Sequence, residues 1–335
     1  MPITTLTIEA ALQLLPNALC IDVRSPSEYA QGHIPGAINV ALFNNEERKV
    51  VGTAYKQTSR QKAIKIGLNY FGPKMEAIIN AVEAQLIATP KPEIIVHCWR
   101  GGMRSAGIAW LLNLYGYKVS TIIGGYKTYR GWALEQFGMA YNFKILGGNT
   151  GSNKTVWLQK LQQSGQTVID LEGIANHKGS TFGHLGMPPQ PTQEHFENIL
   201  ALALFTKKAN TIWLEDESKR IGLVNLPEAL WPTMRSMPIY FLQVSFENRL
   251  QIILEGYSMH GTLQICDAIK RIERRLGGLE AKNAIAFATE GDLKSCFTIL
   301  LHYYDKYYLK GLHQRENYKT LVTEIDEDYL AQICK

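Results

Sequence analysis

Residues 94–105 read IIVHCWRGGMRS, and this stretch decides the fold of the first part of the chain. The apolar residues at its start predict a buried strand, and the glycine-rich loop after Cys98 turns into a helix. Backbone N–H groups and a helix N-terminus then point at the sulfur, which favours the thiolate and creates a cradle for an anion. A buried structural cysteine is the alternative interpretation. Because two arginines and two glycines follow within six residues, we interpret Cys98 as a nucleophile.

The loop itself is compatible with two chemistries. His97 and Cys98, followed after five residues by Arg104 and Ser105, fit the H-C-x5-R-[ST] pattern of cysteine phosphatases. In those enzymes the cysteine attacks phosphorus and the arginine binds the oxyanion. The local motif therefore leaves both phosphate-ester hydrolysis and sulfur-group transfer open. The candidate active-site residues are Cys98, Trp99, Arg100, Gly101, Gly102 and Arg104.

A second signature lies upstream, where residues 21–39 read IDVRSPSEYAQGHIPGAIN. This segment predicts a buried strand, a turn at Ser25-Pro26, a short helix and a second turn at Pro35-Gly36. It matches the pattern D-x-R-x-x-x-E-[FY]-x-x-G-H-I-x-G-A and therefore resembles the rhodanese domain. The resemblance favours sulfur-group transfer. Cell-cycle dual-specificity phosphatases share the fold, so the phosphatase interpretation stays open.

Length and cysteine usage bound the class of protein. The chain has 335 residues, enough for two cores, and five cysteines that lie far apart with no C-x-x-C pair. This spacing argues against a structural zinc site and against a disulfide scaffold. The sequence shows no secretory signal, and its apolar stretches, such as residues 199–205, are too short to span a bilayer. We therefore expect a cytoplasmic protein with no membrane partner.

Alternating strand and helix patterns predict a parallel sheet in the first part of the chain. Strands are expected at residues 18–23, 93–97 and 119–123, and helices at residues 75–86 and 105–115. A new strand is expected at residues 142–146, so we place a domain boundary near residue 140. The expected organisation is a rhodanese-like α/β domain over residues 1–140 and a second α/β domain over residues 141–335.

The net charge of +5 is concentrated in the first domain. Residues 1–140 carry 14 Lys and Arg against 9 Asp and Glu, whereas the two signs balance in the rest of the chain. Much of the excess lies between Arg48 and Lys65, on a stretch with helical spacing that also carries Tyr55. A solvated helix face and a track for a nucleic-acid backbone explain this stretch equally well from the residues alone.

Residues 147–155 read GGNTGSNKT and follow the new strand. Strand, glycine-rich loop, Lys-Thr and helix are the context of a phosphate-binding loop, in which backbone N–H groups and the lysine hold phosphates and the threonine can hold a metal ion. Asn153 stands where the pattern has its last glycine. We expect the loop geometry to be retained, because Asn tolerates a left-handed backbone. The second domain is thus predicted to be of the P-loop NTPase type with a helical C-terminal region. The candidate phosphate-binding residues are Gly148, Gly151, Ser152, Asn153, Lys154 and Thr155.

Two further segments carry candidate contacts to substrate or metal. Residues 211–217 read TIWLEDE, an apolar strand that ends in three carboxylates and has the layout of a magnesium-binding Walker B strand. A solvated strand end is the alternative. Residues 176–183 read NHKGSTFG, a polar and glycine-containing segment typical of a substrate loop. The candidates are Glu215, Asp216, Glu217, His177, Lys178 and Ser180, and no metal is assigned.

Three segments together carry a resemblance to one family. They are residues 98–105, residues 171–180, which read LEGIANHKGS, and residues 215–218, which read EDES. With these motifs the chain resembles the tRNA 2-selenouridine synthase family over nearly its whole length. The resemblance implies replacement of sulfur by selenium in the wobble 2-thiouridine of tRNA, with selenophosphate as donor. It also implies prior S-geranylation from geranyl diphosphate, no tightly bound cofactor, and Mg²⁺ as a candidate ion.

The resemblance also implies roles for individual residues. Cys98 would accept selenium as a persulfide-like Cys–Se species, with Arg100 and Arg104 offsetting the anion. Trp99 would stack on a base of the single-stranded anticodon loop. The phosphate-binding loop would hold geranyl diphosphate or selenophosphate. The alternatives are a rhodanese-type sulfurtransferase or cysteine phosphatase fused to a nucleotide-binding module, and a non-catalytic tRNA- or nucleotide-binding protein.

Overall fold

The computed structural model describes residues 2–208, 210–257 and 261–334. The chain divides into two compact units. The first runs to Gln136 and includes Glu197–Leu202, and the second takes the other described residues from Phe137 onward. Within the described ranges, no helix is long and apolar enough to cross a membrane.

The first unit is a parallel sheet with helices. Its strands are β1 (Thr4–Leu6), β2 (Ala18–Asp22), β3 (Ile38–Asn39), β4 (Glu93–His97) and β5 (Val119–Ile122). Its helices are α1 (Ile8–Leu14), α2 (Pro26–Gln31), α3 (Asn45–Gln57), α4 (Arg60–Phe71), α5 (Met75–Ala88), α6 (Met103–Leu114) and α7 (Gly125–Gln136), with 3₁₀ turns at Leu15–Asn17 and Gly72–Lys74.

The strands of this sheet lie in the order β1-β5-β4-β2-β3, and all neighbouring pairs are parallel. β2 and β4 lie inside the sheet. This position explains their continuous apolar sequences, because such a parallel strand is covered on both faces. Their register pairs Asp22 with His97 at the carboxyl ends. The segments that follow these two strands therefore meet at one edge of the sheet.

The core of the first unit lies between this sheet and the helices α5 and α6. Val82 and Ile108 on the helices, and Ile21 and Val96 on the strands, are completely buried in one cluster. The predicted strands and helices are present, and the parallel α/β architecture is confirmed. The short strands β1 and β3 extend the predicted sheet at its two edges.

The elements beyond Phe137, apart from residues Glu197–Leu202, form a second α/β arrangement. Its strands are β6 (Asn142–Gly147), β7 (Thr167–Val168), β8 (Thr211–Glu215), β9 (Arg220–Ile221), β10 (Val224–Asn225), β11 (Ile239–Leu242) and β12 (Val322–Ile325). The helices are α8 (Lys154–Gln163), α9 (Leu171–Ala175), α10 (Gln193–Lys207), α11 (Trp231–Arg235), α12 (Phe246–Tyr257), α13 (Thr262–Leu276), α14 (Gly278–Glu290), α15 (Leu293–His313), α16 (Tyr318–Leu321) and α17 (Glu327–Ile333).

The second sheet has the order β12-β11-β6-β8-β7 and is parallel, while β9 and β10 form a separate antiparallel pair. β6 lies between β11 and β8. The loop after it lies at the carboxyl edge of this parallel sheet, which is where open α/β sheets bind ligands. Helices α12 to α15 enclose a core of their own around Ile269 and Leu300. The predicted second α/β domain with a helical C-terminal region is confirmed.

Candidate active sites

Cys98 lies at the carboxyl end of β4, before the loop that leads into α6. Gly102 is the N-cap of that helix, and its N–H donates to the Cys98 sulfur over 3.3 Å. The loop packs backbone to backbone against the turn before α7. A Cβ at Gly101, whose φ is +64°, would lie 2.6 Å from the carbonyl oxygen of Ile122, and one at Gly125 would lie 2.3 Å from that of Cys98. Only glycine fits at either position, so the fold fixes the shape of the loop.

The surroundings of Cys98 stabilise its thiolate. Burial alone would raise the pKa of this thiol, but hydrogen bonds from Ser105, the charge of Arg104 and the N–H bond described above outweigh burial and lower the pKa below that of an ordinary thiol. The Ser105 hydroxyl lies 3.3 Å from the sulfur. Burial instead raises the pKa of Cys20 and raises that of Cys296 to about 12. Cys98 is thus much better suited to nucleophilic attack than either of these cysteines.

Arg104 is held by a carboxylate beside the loop. Its Nη1 lies 2.7 Å from Oε2 of Glu28 on α2, and Arg48 Nε lies 3.5 Å from the same oxygen. Burial alone would raise the pKa of Glu28. Other effects, of which the hydrogen bond and the charge of Arg104 are the largest, lower it to about 2, so the carboxylate stays ionised. A phosphatase arginine has to bind the oxyanion, and the pairing with Glu28 counts against that role. Glu28 was not among the site residues predicted from the sequence, although it is the glutamate of the upstream signature.

His97, the other residue of the phosphatase pattern, is structural. It is completely buried, and burial lowers its pKa to about 4, so the ring is neutral at neutral pH. Its Nε2 lies 4.0 Å from the carboxylate of Asp22. That carboxylate is bound by Nε and Nη2 of Arg24, whose guanidinium lies 3.8 Å from the ring centroid of Tyr126. These buried groups stabilise the carboxyl edge of the sheet and leave the chemistry to Cys98.

Trp99 and Arg100 are the exposed residues that follow the nucleophile. Trp99 is 37% exposed and its ring packs 5.7 Å from that of Tyr126, between centroids. Arg100 is also exposed. The structure brings most of the predicted loop residues to one cavity and uses Gly101 to shape the loop. The members that line the cavity are Cys98, Trp99, Arg100, Gly102 and Arg104.

Ser105→Ala is expected to shift the reactivity of Cys98 to higher pH. The substitution removes the hydroxyl that contributes most to lowering the thiol pKa. Below the pKa, the thiolate fraction falls about tenfold for each unit by which the pKa rises. Alkylation of Cys98 by iodoacetamide, followed by mass spectrometry between about pH 6 and pH 9, measures the shift. Ser105→Thr keeps the hydroxyl and is the control. An unchanged profile for Ser105→Ala would limit Ser105 to a structural role.

The second candidate site is the loop after β6. Asn153 is left-handed, with φ 57° and ψ 28°, as predicted for the residue that replaces glycine, and α8 begins at Lys154. Gly148 and Gly151 also have positive φ values. A Cβ at Gly151 would lie 2.8 Å from the carbonyl oxygen of Arg249, which explains the need for glycine. Left-handed residues in such a loop turn N–H groups toward a shared concave side, where an anion can bind.

The side chains of this loop offer donors to a phosphate. The Lys154 ammonium donates to the carbonyl oxygen of Gly148 over 2.8 Å, and the Thr155 hydroxyl donates to Oε2 of Glu172 over 3.2 Å. The hydroxyl of Ser152 is buried and has no hydrogen-bond partner within the described chain. A buried polar group of this kind calls for a ligand or water. The residues present therefore fit a phosphate-bearing ligand.

Glu215, the last residue of β8, and Glu217 come together with Glu172. Glu215 accepts a hydrogen bond from the backbone N–H of Glu172 over 2.7 Å, and Glu217 hydrogen-bonds the Glu172 side chain. Burial and then repulsion from neighbouring carboxylates raise the pKa of both Glu215 and Glu217 well above the usual range. Within the described residues, no group of three or more His, Cys, Asp or Glu is arranged to hold a metal ion by itself. Glu172 was not predicted as a site residue from the sequence, because α9 brings it to the site from another segment.

Asp216 is separated from its two neighbours in the sequence. Its carboxylate accepts a hydrogen bond from the hydroxyl of Tyr308 over 2.7 Å and pairs with the buried Arg315. The same Tyr308 hydroxyl accepts from the N–H of Gly148 over 3.2 Å. Asp216 thus supports the phosphate-binding loop through Tyr308, whereas the three carboxylates were expected to share one role.

The segment of residues 176–183 lies beside Glu172 and Glu217. A Cβ at Gly179 would lie 2.6 Å from Oε1 of Glu217, so the backbone of the segment packs against these two carboxyl groups. His177 is buried, and burial lowers its pKa, so it is neutral at neutral pH. The Ser180 hydroxyl accepts from a backbone N–H within the segment. Lys178 is exposed and is the residue of this set best placed to meet an approaching ligand.

Two family models and several curated proteins match this chain. The model of the tRNA 2-selenouridine synthase AAA domain matches residues 141–334, and that of the rhodanese-like domain matches residues 7–131. A tRNA 2-selenouridine synthase of Sulfurovum sp. is 38% identical over 292 residues, which cover 80% of this chain and 78% of that protein. One of Bordetella petrii is 37% identical over 282 residues, covering 77% and 74%. Among solved structures, the N-terminal domain of a putative ATP/GTP binding protein from Clostridium difficile 630 is 40% identical, covers 39% of this chain and 99% of that one, and has a TM-score of 0.36.

Proposed function

Since the chain belongs to the tRNA 2-selenouridine synthase family, we propose that it replaces sulfur by selenium in the wobble 2-thiouridine of tRNA, with selenophosphate as the selenium donor. The observation that carries this proposal is the Cys98 thiol. It lies at the end of β4, its pKa is lowered chiefly by Ser105, and it lines a cavity next to the exposed Trp99.

Geranyl diphosphate is the proposed second substrate, because the sulfur of a thiocarbonyl is a poor leaving group. The sulfur attacks the first carbon of the geranyl chain, the bond from that carbon to oxygen breaks, and diphosphate leaves with the electron pair. The base then carries an S-geranyl group on its carbon C2. A geranyl thiol is a much better leaving group than sulfide, so the sulfur can now be displaced.

Cys98 is assigned to the displacement of this thiol. Its thiolate adds to C2, and the geranyl thiolate leaves with the electron pair and takes up a proton, so that the base is joined to Cys98 by a C–S bond. The selenium of selenophosphate then attacks the same carbon, and Cys98 leaves as a thiolate. Water finally cleaves the P–Se bond and releases phosphate and 2-selenouridine.

This assignment replaces the persulfide-like Cys98–Se species expected from the sequence. Selenium in selenophosphate is at the selenide level, and an S–Se bond to Cys98 is two electrons more oxidised. Its formation would need an oxidant that selenophosphate does not supply. Attack of Cys98 on carbon needs none, and the lowered thiol pKa supports it as directly as it would support attack on selenium.

The loop from Gly148 to Thr155 is proposed to bind the phosphate part of a donor. Lys154 supplies the charge, and the Ser152 hydroxyl is a ready donor. Mg²⁺ fits beside them, because Thr155 and Glu172 offer oxygen ligands and this ion completes its shell with phosphate oxygens and water. Such an ion would neutralise charge on a departing diphosphate.

Trp99 and Arg100 are proposed to receive the wobble base of tRNA. Bases of single-stranded loops are recognised by stacking on aromatic rings and by contacts to their edges, and an exposed tryptophan beside the nucleophile suits the first of these. The exposed guanidinium of Arg100 supplies a positive charge for the nearby backbone.

Mass analysis of nucleosides tests the proposal. The purified protein is incubated with tRNA that contains 2-thiouridine, together with geranyl diphosphate, selenophosphate or both. We expect S-geranyl-2-thiouridine with geranyl diphosphate alone, 2-selenouridine with both donors and unchanged 2-thiouridine with selenophosphate alone. If 2-thiouridine stays unchanged in every reaction, the proposal is wrong. Hydrolysis of a generic aryl phosphate under the same conditions would restore the phosphatase interpretation.

Arg274→Ala combined with Arg275→Ala is expected to weaken tRNA binding without preference for sequence. Both residues are exposed on α13, next to Lys270 and Arg271, and the opposite face of this helix carries the buried Ile269. Each lost phosphate contact reduces the slope of log affinity against log salt by roughly one unit. Binding of cognate and non-cognate tRNA at several salt concentrations measures this slope.

The same double variant also tests a structural role for the cluster. Arg275 hydrogen-bonds Tyr303 on α15, so a merely structural role would appear as a lower melting temperature. A folded variant that binds tRNA with an unaltered salt slope would remove this cluster from the interface. The basic excess of the first unit would then have to account for binding.

A further inference from the structure

A large apolar cavity opens beside Cys98 in the first unit. Its volume is about 860 Å³, within the range of sites that hold small-molecule ligands. The walls come from the end of the β3–α3 connection, from α3, α4 and α6, and from the loop that carries the nucleophile. The apolar wall residues include Phe43, Val51, Ile64, Leu68, Phe71 and Trp110.

Exposed apolar side chains mark the cavity as a binding site rather than a packing defect. Tyr55 is 54% exposed, Leu68 57%, Met103 52% and Trp110 50%, and all four line the cavity. Contiguous exposed apolar surface is unfavourable in water and usually marks a place where a ligand or partner binds. The apolar interior therefore calls for an apolar occupant.

The lining also contains positive charges. Arg48, Lys56, Arg100 and Arg104 line the same cavity. Arg48 and Arg104 pair with Glu28, whereas Lys56 and Arg100 are exposed to solvent. An apolar interior with cationic groups fits a molecule that joins an apolar chain to phosphate groups. Geranyl diphosphate and an S-geranylated base of RNA both carry these two features, and only in the RNA base is the apolar chain joined to the carbon that Cys98 attacks.

The geometry points to the S-geranyl chain of the modified wobble base as the occupant of this cavity. This inference rests on the proposed function and adds the place where the chain is bound during displacement. The sulfur of the chain is bonded to C2, the carbon that Cys98 attacks. A pocket for the chain must therefore begin within a few bonds of the Cys98 sulfur, and Cys98 is itself part of the wall.

In that position the geranyl chain has a second purpose besides improving the leaving group. Burial of the chain places C2 against the thiolate, so part of the binding energy of the apolar group is used to orient the reacting carbon. A short S-alkyl group is a comparable leaving group but cannot fill the cavity. Displacement should therefore depend on the length of the chain, and this dependence should come from the cavity wall.

Leu68→Asp tests the inference, with Leu114→Asp as the matched control. Leu68 lines the cavity and is 57% exposed, whereas Leu114 is 68% exposed on α6 and lies outside the lining. Both variants add one carboxylate to an exposed site of the same unit. The readout is kcat/KM for conversion to 2-selenouridine with tRNA carrying an S-geranyl or an S-methyl group, with selenophosphate present. The ratio of the two values isolates the contribution of the chain.

For the wild type, kcat/KM should be much larger with S-geranyl tRNA than with S-methyl tRNA. Each buried carbon contributes about fourfold, so burial of only four of the additional carbons gives roughly 200-fold. Leu68→Asp should lower this ratio by about tenfold or more, and Leu114→Asp should retain it. Equal use of the two tRNAs by the wild type, or an unchanged ratio in Leu68→Asp, would overturn the inference and leave the proposed function standing. If the wild type converts neither tRNA, the proposed function itself fails.

Discussion

Cys98→Ser is expected to abolish selenium incorporation, with a fall in rate of about 10⁴-fold or more. A serine hydroxyl is not ionised at neutral pH, and it loses the advantage that the surroundings of Cys98 give to a thiolate. The base can then be geranylated but not released from its geranyl thiol, so S-geranyl-2-thiouridine should accumulate. Quantification of both nucleosides in time courses with purified protein measures the effect.

Cys334→Ser is the control for this substitution, because Cys334 is a partly exposed residue that no candidate site uses. It should leave both products unchanged. Intact-protein mass spectrometry of the wild type with S-geranyl tRNA and no selenophosphate should further detect a tRNA adduct on Cys98. Selenation that persists in Cys98→Ser would refute the assignment. Selenium found on Cys98 after treatment with selenophosphate alone would restore the Cys–Se species in place of attack on carbon.

Lys154→Ala is expected to reduce kcat/KM for the phosphate-bearing donor by about 10- to 150-fold. The substitution removes a charge-assisted contact to phosphate, which contributes about 1.5–3 kcal/mol. In the structure the ammonium spans the loop to the carbonyl oxygen of Gly148, from where it can turn to a ligand. Separate kinetics with geranyl diphosphate and with selenophosphate show which donor this loop serves.

Lys160→Ala is the matched control on the same helix. Lys160 lies on the ring of Trp157, with its ammonium 4.0 Å from the centroid, more than one helical turn beyond the loop residue Thr155. Its loss should change neither donor's kinetics. If Lys154→Ala also uses both donors at the wild-type rate, the loop does not bind the phosphate part of either substrate, and this part of the proposed function is wrong.

The sequence predicted the parts of the fold that local patterns determine. The apolar run before Cys98 became the buried strand β4, and Asn153 adopted the left-handed conformation that replacement of a glycine required. Both outcomes depend on a few neighbouring residues. The two-residue strand β3 could not be predicted, because so short a segment carries no periodicity and becomes a strand only by pairing with β2.

Features that depend on distant residues were beyond the sequence. Glu28 meets Arg104 across 76 positions of the chain, and no local pattern links them. The carboxylates at the end of β8 were grouped because they are adjacent, but the chain leaves the strand after Glu215, and neighbouring side chains there reach different partners. Asp216 accordingly meets Arg315, while Glu217 meets Glu172. The cavity beside Cys98 could not be predicted from the sequence either, because it arises from the way whole helices pack.

The close contact of Gly101 and Gly125 with neighbouring backbone determines which partner changes shape on binding. A loop fastened in this way loses its conformational freedom during folding and not when substrate arrives. The thiolate is therefore presented at a fixed place. In the proposed reaction, the RNA must make the adjustment, by unstacking one base and bringing its carbon to a sulfur that does not move. Selectivity among tRNAs then lies in the ease with which an anticodon loop deforms.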